Sequence, residues 1–406
     1  MTAVTDPGAE PALAVAASDE RRVLDLVERL LADHPPAHTP SREFLGAQFD
    51  AGLAWVHFPE GDGGLGLSPQ LQKAIQERLA ETKAPHPYPR NPIGYGMGAP
   101  TVSTHGTPEQ RRRYLRPLFT GAEIWCQLFS EPGAGSDVAG LAARAVRDGD
   151  EWVVNGQKVW TTLAHLSKWG MLVVRTNPDA PKHKGLTYFV VDMDAPGVEV
   201  RPLRQITGEA EFNEVYFTEV RIADSERLGD EGEGWRVSLT TLMNERVSIG
   251  GNIAPRGSGV IALAVQAWDE SARNPAQLEQ LMQLWSEAEV LRLTNWRASQ
   301  NRRQGTPGPE GSIGKVAFAE LNKRITDFTM NLLGPDGMLY GSYAMTQPAT
   351  AMDISNAQKA FLRTRANSIE GGTTEVLKNI LAERVLGLPG DVRVDKGRPW
   401  NEIPRN

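Results

Sequence analysis

The periodicity of apolar residues changes twice along this 406-residue chain, and this change constrains the fold more than any other feature. Apolar residues recur at three- and four-residue steps in 20–31 and 69–83, which predicts amphipathic helices. After Gly121, β-branched and aromatic residues between turn signals predict strands over about a hundred residues. Helical spacing resumes near Glu233 with long apolar stripes. We therefore predict an α+β multidomain chain with an N-terminal α-helical domain, a middle β-barrel or β-sandwich domain and a C-terminal four-helix bundle.

The length of the chain exceeds what one ordinary hydrophobic core serves, so several domains are expected. The predicted parts are a flexible tail (1–19), a helical domain (20–121), a β domain (122–228) and a helical bundle (229–406). In the first helical domain, Thr107 is expected to cap a helix that begins at Pro108. In the β domain, the pair Asn155–Gly156 predicts a turn between two strands.

Composition excludes several classes of protein. The net charge of −7 and a pI near 5.7 give no general attraction to nucleic acid or to anionic lipid. The single cysteine, Cys126, excludes an intrachain disulfide framework and a cysteine-rich metal site, and it fits a reducing compartment. The first residues lack a secretion signal, and no run approaches about 18 apolar residues. We expect a cytoplasmic protein without a membrane span or a polynucleotide partner.

One short motif imitates a nucleotide site. GDGGLG at 61–66 satisfies the glycine pattern of the dinucleotide fingerprint and follows a strand-like stretch. However, Pro59 interrupts that stretch, and the helix after Gly66 leads into PHPYP where the fingerprint needs a second strand. We interpret this motif as a tight connection between helices.

Several longer motifs occur in the order helix, strand, helix and together resemble the acyl-CoA dehydrogenase family. They are WCQLFSEPGAGSDVAG (125–140), NGQKVWTT (155–162), FNEVYFTEVRI (212–222), LGDEGEGW (228–235) and GGTTEVLKNILAERVLG (371–387). The resemblance covers the chain from about residue 24 to about residue 388. It implies a fold of the type already predicted from periodicity, bound FAD and an acyl-CoA substrate.

The loop after Ser130 is rich in small residues, so a ligand can approach its backbone closely. The resemblance implies that this loop holds the flavin ring and the pantetheine chain, with Ser136 near phosphate or pantetheine groups. It also implies that Trp160, Thr161 and Thr162 cover the flavin and hydrogen-bond to it. The cofactor contacts expected in the middle domain are therefore Gln127, Phe129, Ser130, Gly135, Ser136, Trp160, Thr161 and Thr162.

Near the C-terminus, Gly371 and Gly372 precede Thr373, a good N-cap for a following helix. By resemblance, Thr373 and Glu375 contact FAD, and the backbone N–H of Gly371 binds the thioester carbonyl. The resemblance also suggests flavin contacts at Arg273 and Gly334. The usual Arg-x-x-Phe-Gly setting of that arginine is missing here, and LLGPDGMLYG (332–341) matches the family's glycine-rich turn only loosely.

The catalytic base departs from the family's commoner pattern. Many members carry the base in Tyr-Glu-Gly-Thr, and the corresponding position here is Gly371, which has no side chain. Two glutamates compete to replace it: Glu245, on a predicted bundle helix, and Glu370, one residue out of register. We favour Glu245, because the isovaleryl-CoA dehydrogenase type of the family also combines a helix-borne base with a small residue in the loop. Arg246 then corresponds to an arginine of the substrate pocket.

The alternative for Glu245 is an ordinary ion pair with Arg246 on a solvated helix face. The reaction implied by the resemblance is FAD-dependent α,β-dehydrogenation of an acyl-CoA thioester to the trans-2-enoyl-CoA, in fatty acid or other lipid metabolism. Electron-transferring flavoprotein is the expected acceptor, and a homotetramer or heterotetramer is the expected assembly. A flavin oxidase or monooxygenase of the same fold, or a non-catalytic partner subunit, remains as an alternative.

Overall fold

The computed structural model describes residues 17–250, 254–303, 310–350, 354, 356–390 and 392–404. Side chains are described throughout these ranges except at 245–250, 302–303 and 310. Most of the predicted tail, 1–16, lies outside the described residues. The first helix already begins at Ala17, three residues before the helical spacing that the sequence predicts from Glu20.

The N-terminal region is helical. Its helices are α1 (Ala17–Asp33), α2 (Ser41–Asp50), α3 (Gln72–Glu81), α4 (Ala99–His105) and α5 (Pro108–Phe119). Thr107 caps α5 as predicted, and Gln110 completes a reciprocal capping box with it. The GDGGLG stretch is a tight connection between α2 and α3, with Gly61, Gly63 and Gly66 at positive φ, so the interpretation of this motif is confirmed.

The middle region forms one curled sheet of seven strands. They are β1 (Trp125–Leu128), β2 (Arg144–Asp148), β3 (Glu151–Thr162), β4 (Trp169–Arg175), β5 (Leu186–Asp192), β6 (Val198–Pro202) and β7 (Phe212–Ala223). The order is β1-β4-β2-β3-β7-β6, and β5 pairs with β4. Strand β4 pairs with β5 along one edge and with β1 and then β2 along the other, which bends the sheet around its own core.

The turn predicted at Asn155–Gly156 is wrong, because both residues lie inside the continuous twelve-residue strand β3. The partner strand β7 has the same length, and the register shifts between Val154 and Gly156 as at a β-bulge. A Cβ on Gly156 would lie 2.5 Å from the Cβ of Ala143, so the glycine serves close strand packing. The long strand pairing overrides the local turn preference.

The C-terminal region is helical again. Its helices are α6 (Gly234–Gly250), α7 (Val260–Glu270), α8 (Pro275–Arg303), α9 (Glu310–Leu333), α10 (Ala357–Thr364) and α11 (Thr374–Ile380). Helices α7, α8, α9 and α10 share a buried core that includes Trp268, Leu284 and Phe328. The order of helical region, curled sheet and helical region confirms the predicted fold class. Among the described residues, no helix is both long and apolar enough to cross a membrane.

Candidate active site

A buried ion pair anchors the loop that follows β1. The Lys158 side chain is fully buried on β3, and its Nζ donates to the Glu131 carboxylate at 2.8 Å and to the Phe129 carbonyl at 3.0 Å. The same carboxylate accepts the backbone N–H groups of Ala142 and Ala143. Burial lowers the pKa of Lys158, whereas the neighbouring Glu131 raises it. The pair therefore fixes this loop against β3 before any ligand binds.

Beyond Glu131 the loop opens toward solvent. No atom lies within 4 Å of a Cβ placed on Gly133 or on Gly135, so the space above these residues is open. Ser136 is exposed, and Asp137 accepts a hydrogen bond from the Lys182 ammonium at 2.9 Å. The structure thus presents the backbone of Gly135 and the hydroxyl of Ser136, both predicted ligand contacts, on an accessible surface.

Trp160 stands out from the sheet next to this loop. The β3–β7 register shifts between Lys158 and Thr161, and Trp160 within this bulge has a φ of 60°. Its side chain is 57% exposed and contacts Phe212 edge to face at 5.8 Å between ring centroids. A large aromatic ring held outward by strained backbone is typical of a ligand-binding position.

The neighbours of Trp160 are oriented differently. Thr161 is fully buried, and its hydroxyl finds no hydrogen-bond partner among the described residues, so it faces the interior of the sheet. Thr162 is half-buried on the Trp160 side of the strand. The backbone of Ser130 joins this group, since its carbonyl accepts the N–H of Val159 at 2.9 Å. Ser130, Trp160 and Thr162 are therefore brought together.

Gln127 on β1 and Phe129 just after it, both predicted cofactor contacts, expose less side-chain surface than Trp160. Phe129 is buried in the main core and packs edge to face on Tyr188 at 5.8 Å. Its side chain is therefore part of the core, and its flavin contact stays a prediction. Gln127 is half-buried and pairs in register with Met171 of β4.

The glycine loop before α11 is held by a lysine that the sequence did not single out. Gly371 and Gly372 have φ values of 63° and 92°, a backbone conformation that favours glycine. Lys315 of α9 donates to the carbonyl of Gly372 at 2.6 Å. Thr373 caps α11 as predicted by accepting the Val376 N–H at 3.1 Å, and Glu375 is exposed in the first turn.

Glu370, one of the two candidate bases, is fully engaged by neighbours. Its two carboxylate oxygens accept hydrogen bonds from the Arg363 guanidinium at 3.1 and 2.8 Å. A further bond comes from Asn367 at 2.7 Å. Arg363 is buried, also lies 3.4 Å from Glu211, and sits over the Phe212 ring at 5.9 Å. A bidentate arginine restrains the Glu370 carboxylate in one orientation, which suits a structural role better than proton transfer.

The other candidate base lies on α6. The backbone of Glu245 and Arg246 is helical, but their side chains lie outside the described residues. One helical turn earlier, the Thr241 hydroxyl lies 3.1 Å from the Tyr188 hydroxyl of β5 and 2.9 Å from that of Thr101 in α4. All three side chains are buried. This cluster fixes α6 against both the sheet and the N-terminal helices immediately before position 245.

The last two predicted cofactor contacts are exposed positions on the bundle. Arg273 lies in the turn between α7 and α8 and forms an ion pair with Asp269 at 3.0 Å. Gly334 begins the short 3-10 turn after α9, with a φ of 55°. Both flavin contacts stay predictions.

Besides Lys315, sequence reasoning missed the roles of four residues that organise the site: Glu131, Lys158, Phe212 and Arg363. A charged residue such as Lys158 at an inward position of a strand is the signal that reveals a buried pair. The two acidic partners of Arg363 carry no such signal, because only folding brings Glu211 and Glu370 to the same guanidinium.

The comparisons with known proteins agree with this architecture from residue 19 to residue 386. Residues 19–122 match the family described as acyl-CoA dehydrogenase, N-terminal domain; residues 126–220 match the middle domain, and residues 232–386 match the C-terminal domain. The chain belongs to the acyl-CoA dehydrogenase family.

Two curated relatives come from Mycobacterium tuberculosis. Acyl-CoA dehydrogenase IpdE1 is 39% identical over 347 residues, which cover 84% of this chain and 86% of the relative. Acyl-CoA dehydrogenase FadE34 is 37% identical over 390 residues, which cover 96% of this chain and 52% of the relative.

Solved structures show the same fold. The Tcur3481–Tcur3483 steroid ACAD superposes with a TM-score of 0.69 at 25% identity, covering 93% of this chain and all of that one. The ChsE4–ChsE5 complex from Mycobacterium tuberculosis gives a TM-score of 0.67 at 26% identity with the same coverage.

Proposed function

We propose that this protein is an FAD-dependent acyl-CoA dehydrogenase that converts an acyl-CoA thioester to the trans-2-enoyl-CoA. The observation that carries the proposal is Trp160, an exposed indole held outward in left-handed backbone beside the open Gly133–Ser136 loop. In contact with water, the strained backbone and the exposed indole of Trp160 contribute no stability to the fold, whereas a planar ligand stacked against the indole would bury it.

The residues around Trp160 fit a flavin. Trp160 offers an aromatic face, Thr162 a half-buried hydroxyl, and the loop around Gly135 accessible backbone groups. The buried Glu131–Lys158 pair holds the loop in place without a ligand, so these groups are preorganised. FAD, when bound, supplies the acceptor for the hydride that leaves the β carbon of the substrate.

For the base, we propose Glu245. Removal of an α proton requires a carboxylate that is free to approach the substrate carbon. Glu370 is restrained by Arg363 and Asn367, which leaves Glu245 as the favoured candidate. The Thr241 cluster one turn earlier gives the helix a fixed position, as a base of this kind needs.

Two further groups are proposed to contact the substrate: a donor that polarises the thioester carbonyl and an arginine in the substrate pocket. The backbone N–H of Gly371 is proposed to bind the thioester carbonyl, which stabilises the negative charge that develops as the proton leaves. Lys315 donates a hydrogen bond to the carbonyl of Gly372, the next residue, and so restrains the backbone around Gly371. Arg246 is proposed to shape the substrate pocket beside the base, and Thr373 and Glu375 to contact FAD.

The test is substrate-dependent bleaching of the flavin absorption under anaerobic conditions. The panel contains straight-chain, branched and steroid acyl-CoA thioesters, the last because one structural relative is described as a steroid ACAD. With the thioester that bleaches the wild type, Glu245→Gln should slow flavin reduction by about 100-fold or more. The matched Glu370→Gln variant should keep most of the rate. The reverse pattern would make Glu370 the base.

Two alternatives have distinct outcomes in the same experiment. Rapid oxygen consumption with a nitroalkane or amine, without bleaching by any thioester, favours an oxidase or monooxygenase of this fold. Failure of the isolated chain to retain FAD favours the role of a partner subunit. Two structural relatives are each described by the names of two different chains, which is why this alternative is kept. We propose a tetramer of like or unlike chains, with electron-transferring flavoprotein as the acceptor.

A further inference from the structure

The segment Arg393–Glu402, called the strap below, lies after the last residue matched by the C-terminal domain of the family, at 386. It returns to the middle domain, where Pro399 forms a β-bridge with Pro181. The backbone N–H groups of Trp400 and Asn401 donate to the carbonyls of Ala180 and Pro178 at 3.0 and 3.1 Å. The strap thus attaches by main-chain bonds to the loop between β4 and β5.

The indole of Trp400 connects this attachment to the open ligand loop. Its N–H donates to the Gly140 carbonyl at 3.2 Å, and the Arg175 guanidinium lies 4.1 Å from the ring centroid. Arg175 is itself buried and donates to the carbonyls of Ala139, Leu141 and Lys182. Trp400 therefore covers the arginine that joins the 138–141 turn to the 178–184 loop.

A second connection is ionic and reaches the ligand loop directly. The Lys182 ammonium lies 2.6 Å from Asp395 of the strap and 2.9 Å from Asp137, the residue after Ser136. The side chains of Lys182 and Asp395 are 13% and 15% exposed, so this ion pair is largely shielded from solvent, whereas Asp137 lies at the surface with 61% of its side chain exposed. Burial acts to lower the pKa of Lys182, but its two carboxylate neighbours raise it overall, and Lys182 in turn keeps the pKa of Asp395 well below its usual value.

We propose that the strap is a positioning element for the coenzyme A end of the substrate. It holds the Ser136–Gly140 loop and the 178–184 loop together, so that the exposed Ser136 is presented in one geometry to the pantetheine and phosphate groups. This inference rests on the proposed function. It adds to that function a specificity determinant outside the family's three domains. Because the contacts of the strap are with these two loops, we expect its loss to weaken recognition of the coenzyme A end and to leave recognition of the acyl end unaffected.

The chain offers a matched pair of variants for the test. Asp395→Asn removes the charge that pairs with Lys182, whereas Glu402→Gln makes the same change at an exposed strap residue whose carboxylate forms no ion pair with the described residues. Trp400→Ala removes the second anchor. Binding of free coenzyme A to each FAD-loaded protein is measured by calorimetry. Asp395→Asn and Trp400→Ala should weaken the affinity about tenfold, and Glu402→Gln should leave it unchanged.

A kinetic comparison separates positioning from general damage to the fold. The same acyl group is offered as its coenzyme A thioester and as its N-acetylcysteamine thioester, which lacks the nucleotide. Asp395→Asn should raise KM for the coenzyme A thioester only, with kcat retained. Equal losses for both thioesters, or coenzyme A affinity equal in all proteins, would overturn the inference. If no thioester bleaches the wild type, the proposed reaction fails, but the calorimetry with coenzyme A still decides the role of the strap.

Discussion

Replacement of Lys158 by methionine isolates the electrostatic part of the buried pair, because methionine keeps most of the aliphatic volume and removes the charge. Glu131, whose side chain is 8% exposed, would keep the N–H groups of Ala142 and Ala143 but lose its counter-ion. Breaking one side of a buried pair costs about 3–5 kcal/mol. With an unfolding entropy of about 2.1 cal/mol/K per residue, cooperative unfolding of all 406 residues converts this into a melting temperature about 4–6 °C lower.

The loss should depend on pH in a defined direction. Without Lys158, burial raises the folded-state pKa of the Glu131 carboxyl above its unfolded value. The folded state then binds a proton more readily than the unfolded state, so stability rises as the pH falls through the raised pKa. The deficit of Lys158→Met is therefore largest above that pKa and shrinks toward acid pH.

Melting temperatures of wild type and variant at about pH 8 and about pH 5.5 measure this effect. Two controls are available: Lys184→Met removes an exposed lysine, and Glu131→Gln combined with Lys158→Met removes both charges. The double variant should recover stability and lose the pH dependence. A Lys158→Met protein as stable as the wild type at the higher pH, or a double variant less stable than the single one, would refute the reasoning.

Three further outcomes are expected. Trp160→Gly relieves the left-handed strain, so it should change the free energy of unfolding by about 1 kcal/mol or less while lowering FAD retention on gel filtration. A marked loss of stability that accompanies the loss of FAD would instead make Trp160 a packing residue. Thr241→Val leaves the buried hydroxyls of Tyr188 and Thr101 without a shared partner and should cost about 1–3 kcal/mol in thermal unfolding, with Thr241→Ser recovering most of it. Lys182 lowers the pKa of Asp395 to about 2 from 3.8, so the stabilisation it gives is complete above the ordinary value and is lost as the pH falls toward about 2. Hydrogen exchange in 392–404 should therefore accelerate only below about pH 4, and Asp395→Asn should abolish that step.

Local chemistry allowed much of this protein to be predicted from its sequence. Thr107 and Thr373 cap helices because a hydroxyl before a helix satisfies a free N–H wherever the helix lies. The order of helical region, sheet and helical region follows from periodicity, which each segment carries by itself. Gly371 and Gly372, which precede the capping Thr373, both have positive φ, a conformation that glycine adopts without steric cost.

The tertiary structure alone decided which side chains are available. Asn155–Gly156 has the chemistry of a turn, but pairing along β7 keeps it inside a strand. Phe129 and Trp160 are both aromatic residues near the ligand loop, yet one is in the core and the other is exposed.

The sequence also did not predict which charged groups pair with each other. Glu370 is restrained by Arg363, and Lys182 joins Asp137 to Asp395, a residue far along the chain. A carboxylate looks the same in sequence whether it is a base, a surface charge or half of a buried pair. Its role depends on burial and on the cation beside it, and both are set only when distant segments pack together.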